Sequence, residues 1–412
     1  MSPVKLEKQG IVGLGDAAAS FGFTEEQILF RDTVLDFARR DLAAASEDPE
    51  APFSRELWRA CAGFGLQGLP VPEELGGSGA APSTIVLALE ALGYGCRNNG
   101  LIFSLNAQMW ACEEPIVRFG SGEQKRRYLP GLCDGSIVAA HAMSEPGSGS
   151  DAFALVTTAE KTPGGFRLNG SKTWVTNAPV ADLFVVFART APEGGFGGVS
   201  AFLVERDTPG LVVGNPMHKM GLTSSPMSEV FFDGCEVSDD QLLGREGAGM
   251  AVFTKAMAME RGCILASAVG AMQRQLETCL DFARSRRQFG QPIGAFQAVS
   301  HRLVDMKLRV ETARLLLYRL AWLLDAGRPV DAEAALTKLY ISEAYVASSL
   351  DAVQLHGGSG YLEEVGLERE LRDAVGSRLY SGTSEMQRNL VARAMGLSGP
   401  NVNQPTRPKD PQ

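Results

Sequence analysis

Residues 141–151 read His-Ala-Met-Ser-Glu-Pro-Gly-Ser-Gly-Ser-Asp, and a second stretch, Lys-Thr-Trp-Val-Thr-Asn, follows at 172–177. The three serines of the first stretch offer hydroxyl groups. Its two glycines let the backbone approach a ligand closely and adopt positive φ, and Pro146 fixes one turn. This combination indicates a ligand-binding loop.

The second stretch has the composition of a β-strand. Strand side chains point to the same face at every second residue, so Trp174 and Thr176 share one face. An aromatic plate beside hydroxyl and backbone donors suits a flat, polar heterocycle such as a flavin. The alternative interpretation is a surface turn followed by a strand with Trp174 in the core.

The overall composition is that of a globular protein, since 45% of the 412 residues are hydrophobic and 21% are charged. This length predicts two or three domains. A net charge of -9 without a basic run argues against a nucleic-acid partner. There is no signal-peptide pattern and no apolar run long enough to span a membrane. The seven cysteines lack a Cys-x-x-Cys pair, which predicts no metal site and favours the cytoplasm.

The N-terminal third has a helical pattern. Residues 1–22 form a weakly patterned segment in which Gly13-Leu-Gly15 matches a dinucleotide fingerprint only superficially, because no strand precedes it. Thr24-Glu-Glu-Gln27 resembles a capping box that opens a helix. We therefore expect an N-terminal helical domain over 23–136.

The pattern changes between 137 and 245 to short runs rich in Val, Phe and Thr, separated by turn residues. Asn169-Gly170, between two of these runs, predicts a hairpin turn. The predicted strands are 155–160, 166–168, 172–176, 183–188, 199–204 and 229–232. Together they predict a small β-barrel-like domain.

The helical pattern returns over 246–398 and predicts a four-helix bundle. One apolar seam consists of Leu303, Met306, Val310, Ala313, Leu317, Leu320 and Leu324. The next helix starts near Asp331, runs through Leu336, Leu339, Val346, Leu350 and Val353, and stops at Gly357-Gly358. Residues 399–412 are polar and Pro-rich, which predicts a disordered tail. The predicted fold class is α+β, with the β domain between two helical parts.

Seven short motifs occur in order along the chain. They are Ser-Glu-Pro-Gly-Ser-Gly-Ser-Asp (144–151), Asn-Gly-Ser-Lys-Thr-Trp-Val-Thr-Asn (169–177), Lys-Met-Gly-Leu (219–222), Arg-Arg-Gln-Phe-Gly-Gln-Pro-Ile (286–293), Phe-Gln-Ala-Val (296–299), Gln-Leu-His-Gly-Gly-Ser-Gly-Tyr (354–361) and Tyr-Ser-Gly-Thr-Ser-Glu-Met-Gln (380–387). By these motifs the chain resembles the acyl-CoA dehydrogenase family from about Phe23 to Leu397. The resemblance implies FAD, an α–β–α three-part subunit and usually a homotetramer.

The resemblance also implies which residues contact the cofactor. The residues at positions beside the flavin are Met143, Ser144, Ser150, Trp174 and Thr176. Those at positions that reach the nucleotide from a neighbouring subunit are Arg286, Phe289 and Gln297, and, in a second contact, Gln354, Gly357 and Gly358. Those at positions that close over the nucleotide are Thr383 and Glu385. A guanidinium forks well onto a pyrophosphate; the alternative for Arg286 is a solvated side chain on the bundle surface.

One position departs from the family pattern. The family's common base is a glutamate that follows the tyrosine of a Tyr-Glu-Gly-Thr segment, whereas Ser381 stands there in this chain. A neutral serine cannot take a proton from an α-carbon near neutral pH. Some branches of the family carry the carboxylate on another helix, directly before an arginine, and Glu260-Arg261 matches that position.

Glu260 lies in an apolar run, and such surroundings raise the pKa of a carboxyl group toward the working range. We therefore expect Glu260 to take the α-proton at a catalytic site that includes Arg261. The alternatives are a buried structural Glu260–Arg261 pair or an ion on the helix surface. The backbone N–H of Ser381 survives the side-chain change, and we expect it to donate to the thioester carbonyl.

Segments at 93–100, 259–266 and 380–387 resemble, more narrowly, the prolyl-carrier-protein dehydrogenases of secondary metabolism. The resemblance implies that an acyl or aminoacyl thioester, such as an L-prolyl thioester, loses its α-proton and transfers its β-hydride to flavin. It favours a carrier protein over free CoA as the group that holds the substrate. The alternatives are a dehydrogenase of free CoA thioesters, a flavin monooxygenase on the same fold and a non-catalytic flavin-bound scaffold. The resemblance identifies no electron acceptor.

Overall fold

The computed structural model describes residues 21–192 and 194–397. The predictions for the N-terminal segment up to residue 20 and for the tail over 399–412 lie outside the described residues. Helices make up the first part of the described chain: α1 (Glu25–Arg40), α2 (Ala43–Glu47), α3 (Arg55–Phe64), α4 (Pro82–Gly95), α5 (Asn99–Gln108), α6 (Glu114–Phe119) and α7 (Gly122–Cys133). The capping box predicted at Thr24 and Gln27 opens α1. One π-helical turn, Met109–Glu113, joins α5 to α6.

The middle part is a mixed β-sheet. Its strands are β1 (Ala139–Ala142), β2 (Thr158–Thr162), β3 (Gly165–Thr176), β4 (Leu183–Arg189), β5 (Val199–Glu205), β6 (Leu211–Val213), β7 (Met227–Ser238) and β8 (Leu242–Leu243). Their order is β6-β7-β3-β2-β4-β5-β8, and β1 pairs with β4 in parallel. Leu183, Val185 and Phe187 of β4 pack with residues of α6 and α7 on one face. The alternate residues of β4 pack within the sheet's second core.

The hairpin predicted at Asn169-Gly170 is wrong, because β3 continues through both residues. A register shift between β3 and β7 lies there instead. The Asn169 side chain accepts from the Gly234 N–H at 2.8 Å, and Gly170 has φ +141°. The hairpin turn lies between Thr162 and Gly165. Asn-Gly therefore marks a β-bulge, which needs the same backbone freedom as a turn.

The last part is the helical bundle. Its helices are α8 (Gly249–Cys263), α9 (Ala266–Ser285), α10 (Gln297–Asp325), α11 (Asp331–His356), α12 (Leu367–Gly376) and α13 (Ser384–Ala394), and the short hairpin of β9 (Arg287–Gln288) and β10 (Gln291–Pro292) precedes α10. The seam of α10 is buried from Leu303 to Leu320. On α11, Leu336 and Leu350 are exposed, and the buried face carries Lys338. The predicted order of helices, β domain and helical bundle is confirmed.

The N-terminal helices and the bundle share one hydrophobic core. α4 and α9 approach closely at two glycines: a Cβ on Gly93 would lie 2.0 Å from the Ser267 carbonyl oxygen, and one on Gly270 would lie 2.0 Å from that of Glu90. Only glycine permits this contact. Across the described residues, every helix is too short or too polar to cross a membrane.

Candidate active site

Glu260 lies in the last turn of α8 and is 7% exposed. Its Oε1 accepts a hydrogen bond from the Ser381 hydroxyl, whereas its buried Oε2 has no hydrogen-bond partner among the described residues. Burial raises the pKa of the carboxyl group, and the Ser381 hydrogen bond opposes this effect. An unpartnered buried oxygen on such a carboxyl group is suited to accept a proton from a substrate.

Ser381 occupies a strained turn between α12 and α13. Its φ is +55°, and Gly382 follows at +87°. A positive φ on a non-glycine residue costs free energy and is common at functional sites. The Gln387 side chain donates to the Ser381 and Gly382 carbonyls at 3.1 and 2.8 Å. Within 21–192 and 194–397 the Ser381 N–H has no acceptor, so it is free to bind a substrate oxygen.

Arg261 and Glu260 favour each other's charged forms without direct contact. In the part of the chain that the structure describes, no oxygen of Glu260 lies within 4.0 Å of its guanidinium, and its buried Nε has no acceptor. The structure therefore shows no direct Glu260–Arg261 ion pair, while the alternative of a charge-coupled structural pair stays open. A catalytic-site role for Arg261 stays a prediction.

A small cavity of about 30 Å³ lies next to Tyr380. Ile264, one helical turn after Glu260, and Leu265 form part of its wall. The Tyr380 ring packs on Phe103 with 4.5 Å between the ring centroids. A cavity of this volume holds about one water-sized group, and neither Glu260 nor Ser381 forms part of its wall.

The loop predicted to bind the flavin edge is held by a buried ion pair. Lys172 Nζ lies 2.7 Å from Glu145 Oε1 and donates to the Met143 carbonyl at 3.2 Å. The Ser144 carbonyl accepts from the Thr173 N–H at 2.9 Å. The structure thus joins the two stretches that the sequence pointed to.

Trp174 and Thr176 lie on the less buried side of β3. The Trp174 side chain is 55% exposed, and its φ is +55°. A Cβ built on Gly149 would lie 4.0 Å from the indole ring, and Ser150 beside it is exposed. The alternative that Trp174 is a core residue is therefore wrong, and the ring presents an open aromatic face.

Arg286, Phe289 and Gln297 are exposed around the β9–β10 hairpin. Phe289, at the tip, is 92% exposed and has φ +50°. An aromatic side chain this open in a strained backbone is typical of a residue that contacts another molecule. The arrangement agrees with the prediction of a contact beyond the subunit, which stays a prediction.

Gln354, Gly357 and Gly358 are exposed at the end of α11. The His356 ring stacks on Phe282 of α9 at 4.1 Å, which brings this end close to Arg286. Gln354 lies 16 residues after Lys338 on the same helix, which corresponds to about 24 Å along its axis. The group around Arg286 and Gln354 is therefore remote from the Glu260 site within one subunit.

Thr383 and Glu385 begin α13. The Thr383 hydroxyl accepts from the Met386 N–H at 3.4 Å as the N-cap, and Glu385 is exposed in the first turn. Hydrogen bonds from its own backbone N–H and from Thr383 hold the pKa of Glu385 below its usual value. The negative charge suits a helix N-terminus.

Models of three successive domains match the chain: "Acyl-CoA dehydrogenase, N-terminal domain" at 24–136, the middle domain at 140–235 and the C-terminal domain at 247–396. The chain belongs to the acyl-CoA dehydrogenase family. The L-prolyl-[peptidyl-carrier protein] dehydrogenase of Pseudomonas fluorescens is 44% identical over 378 residues, which cover 92% of this chain and 100% of that protein. Human mitochondrial short-chain specific acyl-CoA dehydrogenase is 39% identical over 370 residues, which cover 89% of each chain.

Solved structures of the family superpose closely. The prolyl acyl carrier protein oxidase AnaB matches with a TM-score of 0.88 and 47% identity, covering 91% of this chain and 100% of that one. PigA with FAD and proline matches with a TM-score of 0.89 and 43% identity, covering 92% and 100%. The residues of this chain fit FAD as well: the open Trp174 face suits an isoalloxazine ring, and the exposed Arg286 guanidinium suits a pyrophosphate.

Three features of this family member were not assigned from the sequence. The Ser381 hydroxyl binds the carboxylate of Glu260. Lys338 is fully buried and donates to the Ser381 turn. The Glu145–Lys172 pair holds the loop that is predicted to contact the flavin. The sequence carried no signal for Lys338, because the predicted apolar face of this helix ran through Leu336, Leu339 and Val346 and did not include it.

Proposed function

We propose that this chain oxidises an L-prolyl thioester held on a carrier protein. Its cofactor is FAD, and it is a flavin-dependent oxidoreductase that acts on thioesters. The observation that carries the proposal is the buried Glu260 carboxyl group, with one oxygen unpartnered, beside the free N–H of Ser381. The prolyl group is inferred from the L-prolyl carrier-protein relatives.

The mechanism assigns one task to each of these groups. Glu260 accepts the α-proton of the thioester, because its buried Oε2 is unpartnered among the described residues and a carboxylate can act as a general base. The Ser381 N–H donates to the thioester carbonyl and stabilises the negative charge that develops there. FAD, when bound, supplies the acceptor for the β-hydride. The Ser381 hydroxyl keeps the carboxylate in position.

The cofactor is proposed to lie between two sets of residues. Met143, Ser144, Ser150, Trp174 and Thr176 contact the flavin, and Thr383 and Glu385 close over the nucleotide. The Arg286–Gln297 segment and Gln354, Gly357 and Gly358 reach the cofactor of a neighbouring subunit. Arg286 supplies a forked donor for phosphate oxygens.

We propose a homotetramer. The proposed contacts with a neighbour's cofactor need at least two subunits. An apolar stripe on α10 supports association, because Val304, Leu308, Leu315 and Trp322 are each more than half exposed and lie on one face of the helix. Light scattering should give the mass of a tetramer. A monomer that still holds FAD tightly would contradict the proposal.

The seven buried, unpaired thiols suit a reducing compartment, and we propose the cytoplasm.

Anaerobic reduction of the bound flavin tests the function. L-Prolyl carrier protein should bleach the flavin, whereas the same carrier loaded with D-proline, which directs its α-proton differently, should not. Butyryl-CoA and L-prolyl-CoA distinguish the carrier from free CoA. Faster bleaching by butyryl-CoA would favour a dehydrogenase of free CoA thioesters, and no bleaching by any thioester would refute the proposal.

A further inference from the structure

Lys338 is a buried charge that the mechanism above does not use. It lies on α11 with 0% of its surface exposed. A lysine is almost never fully buried unless its charge is compensated. The surroundings of its ammonium group therefore show what holds it there.

The Lys338 ammonium group contacts the Ser381 turn directly. Nζ donates to the Gly382 carbonyl at 2.7 Å and lies 6.0 Å from the centroid of the Tyr380 ring. Among the described residues it forms no ion pair within 4.0 Å. Lys338 therefore anchors the turn that contains the Ser381 N–H through a hydrogen bond to the next residue.

Glu260 supplies compensating charge on the same turn, since the Ser381 hydroxyl binds its Oε1. Burial lowers the pKa of Lys338 to about 8, and Glu260 is the largest influence that opposes this. The other groups that face Lys338 are Arg261, Glu343 and Glu385. The groups that face Glu260 are Arg261 on α8, Lys338 on α11, Ser381 and Tyr380 in the turn, and Cys112 in the π-helical turn. The two buried charges therefore support each other across the site.

We propose that Lys338 is a positioning residue for the reaction: it fixes the Gly382 carbonyl, and with it the turn that carries the Ser381 N–H and the Ser381 hydroxyl bound to Glu260, and it places a buried positive charge at that turn. This inference rests on the proposed function. A lysine that served packing alone would influence folding but neither the ionisation of Glu260 nor the alignment of the N–H donor.

The test compares two substitutions in the full-length, FAD-loaded enzyme. Lys338→Met keeps the length of the side chain but removes its charge and its N–H donors. Thr337→Val is the matched control, because Thr337 is also buried and its hydroxyl meets the Leu316 carbonyl of α10 at 3.5 Å. The protonated carboxyl band of Glu260 is followed against pH by infrared difference spectroscopy, with Glu260→Gln as the blank.

We expect Lys338→Met to raise the titration midpoint of Glu260 by about one pH unit, because a nearby opposite charge favours the carboxylate. The rate constant of flavin reduction at saturating substrate should fall by about 10-fold or more, with little change in KM, because the N–H acts mainly in the transition state. Thr337→Val should leave both unchanged, and Lys338→Arg should restore the midpoint. An unchanged midpoint or an unchanged rate constant in Lys338→Met would overturn the proposal.

A Lys338→Met protein that fails to bind FAD is replaced by Lys338→Gln, which keeps a donor without the charge. An unchanged Glu260 midpoint in that variant would also overturn the proposal. The infrared titration needs no substrate. A wild-type enzyme that no thioester reduces would therefore count against the proposed function, while the shift in midpoint still decides the role of Lys338.

Discussion

Lys172 and Lys338 are both buried, and the ammonium group of each donates a hydrogen bond to a backbone carbonyl of a loop. Lys172 donates to the Met143 carbonyl under the flavin loop, and its charge is met by Glu145 at 2.7 Å. Lys338 donates to the Gly382 carbonyl under the Ser381 turn, and among the described residues it has no ion-pair partner of its own.

The difference is that one lysine belongs to a buried ion pair, whereas the other lies beside the proposed catalytic carboxyl group. Both carboxylate oxygens of Glu145 accept hydrogen bonds, from Lys172 and Thr157 at Oε1 and from the Val156 N–H at Oε2. Its negative charge is therefore compensated within the fold. Glu260 keeps one buried oxygen open. Substitutions in the first region should therefore change stability, and those in the second should change the rate of proton removal.

The largest effect on rate is expected for Glu260→Gln. Glutamine keeps the size of the side chain but cannot accept the α-proton, so flavin reduction should slow by roughly 10²–10⁴-fold. FAD content and thermal stability should stay close to those of the wild type. Stopped-flow absorbance under anaerobic conditions measures the rate. Flavin reduction at the wild-type rate in Glu260→Gln would contradict the proposal that Glu260 accepts the α-proton.

The largest effect on stability is expected for Lys172→Met. It leaves the Glu145 carboxylate buried without its cation, which should lower the free energy of unfolding by about 3–5 kcal/mol. Lys161→Met is the control, because Lys161 pairs with Asp239 at the surface and such pairs contribute at most about 1 kcal/mol. Denaturant unfolding compares the two. Equal losses would mean that the buried pair has no special structural role.

A moderate effect is expected for Arg286→Ala. Loss of a charge-assisted contact to the cofactor should weaken FAD binding by about 1–3 kcal/mol. Arg284→Ala is the matched control, since Arg284 is a neighbouring exposed arginine whose partner is Asp281. Fluorescence titration of the apoprotein with FAD measures both affinities. Unchanged affinity in Arg286→Ala would remove this residue from the cofactor site.

The smallest effect is expected for Ser381→Ala, because the backbone N–H remains. Loss of the hydroxyl hydrogen bond should slow flavin reduction by less than about 10-fold at neutral pH. That hydrogen bond lowers the pKa of Glu260, so its removal raises this pKa further. Since the base must be ionised, the rate should begin to fall at a higher pH as the solution is acidified. A loss as large as that of Glu260→Gln would instead make the serine side chain essential.

The sequence predicted the three-part fold because each part has its own hydrophobic period. It misplaced the hairpin at Asn169-Gly170, because a bulge and a turn both select residues that tolerate unusual φ. It also placed Leu336 and Leu350 on the apolar face of their helix, whereas the structure exposes both. Local sequence patterns indicate where the backbone adopts an unusual φ and which residues are apolar. They do not indicate which element packs against an apolar face.

The site was predictable where one residue type decides the chemistry. Ser381 excluded the usual base, and the apolar neighbours of Glu260 pointed to a carboxyl group of raised pKa, the direction that burial gives it. The hydrogen bond between these two residues joins positions 121 apart in the chain. Lys338 also contacts a residue that is distant in the chain, Gly382. Neither hydrogen bond could therefore be predicted from residue spacing along one helix.

Exchange of the substrate α-proton with solvent tests the central claim most directly. With the flavin reduced beforehand, hydride transfer is blocked and only proton removal and return remain. In D2O, wild-type enzyme and Ser381→Ala should place one deuterium on the α-carbon of L-prolyl carrier protein, as read by mass spectrometry. Glu260→Gln should place none above the enzyme-free background. Exchange at the wild-type rate in Glu260→Gln would contradict the assignment of Glu260 as the base.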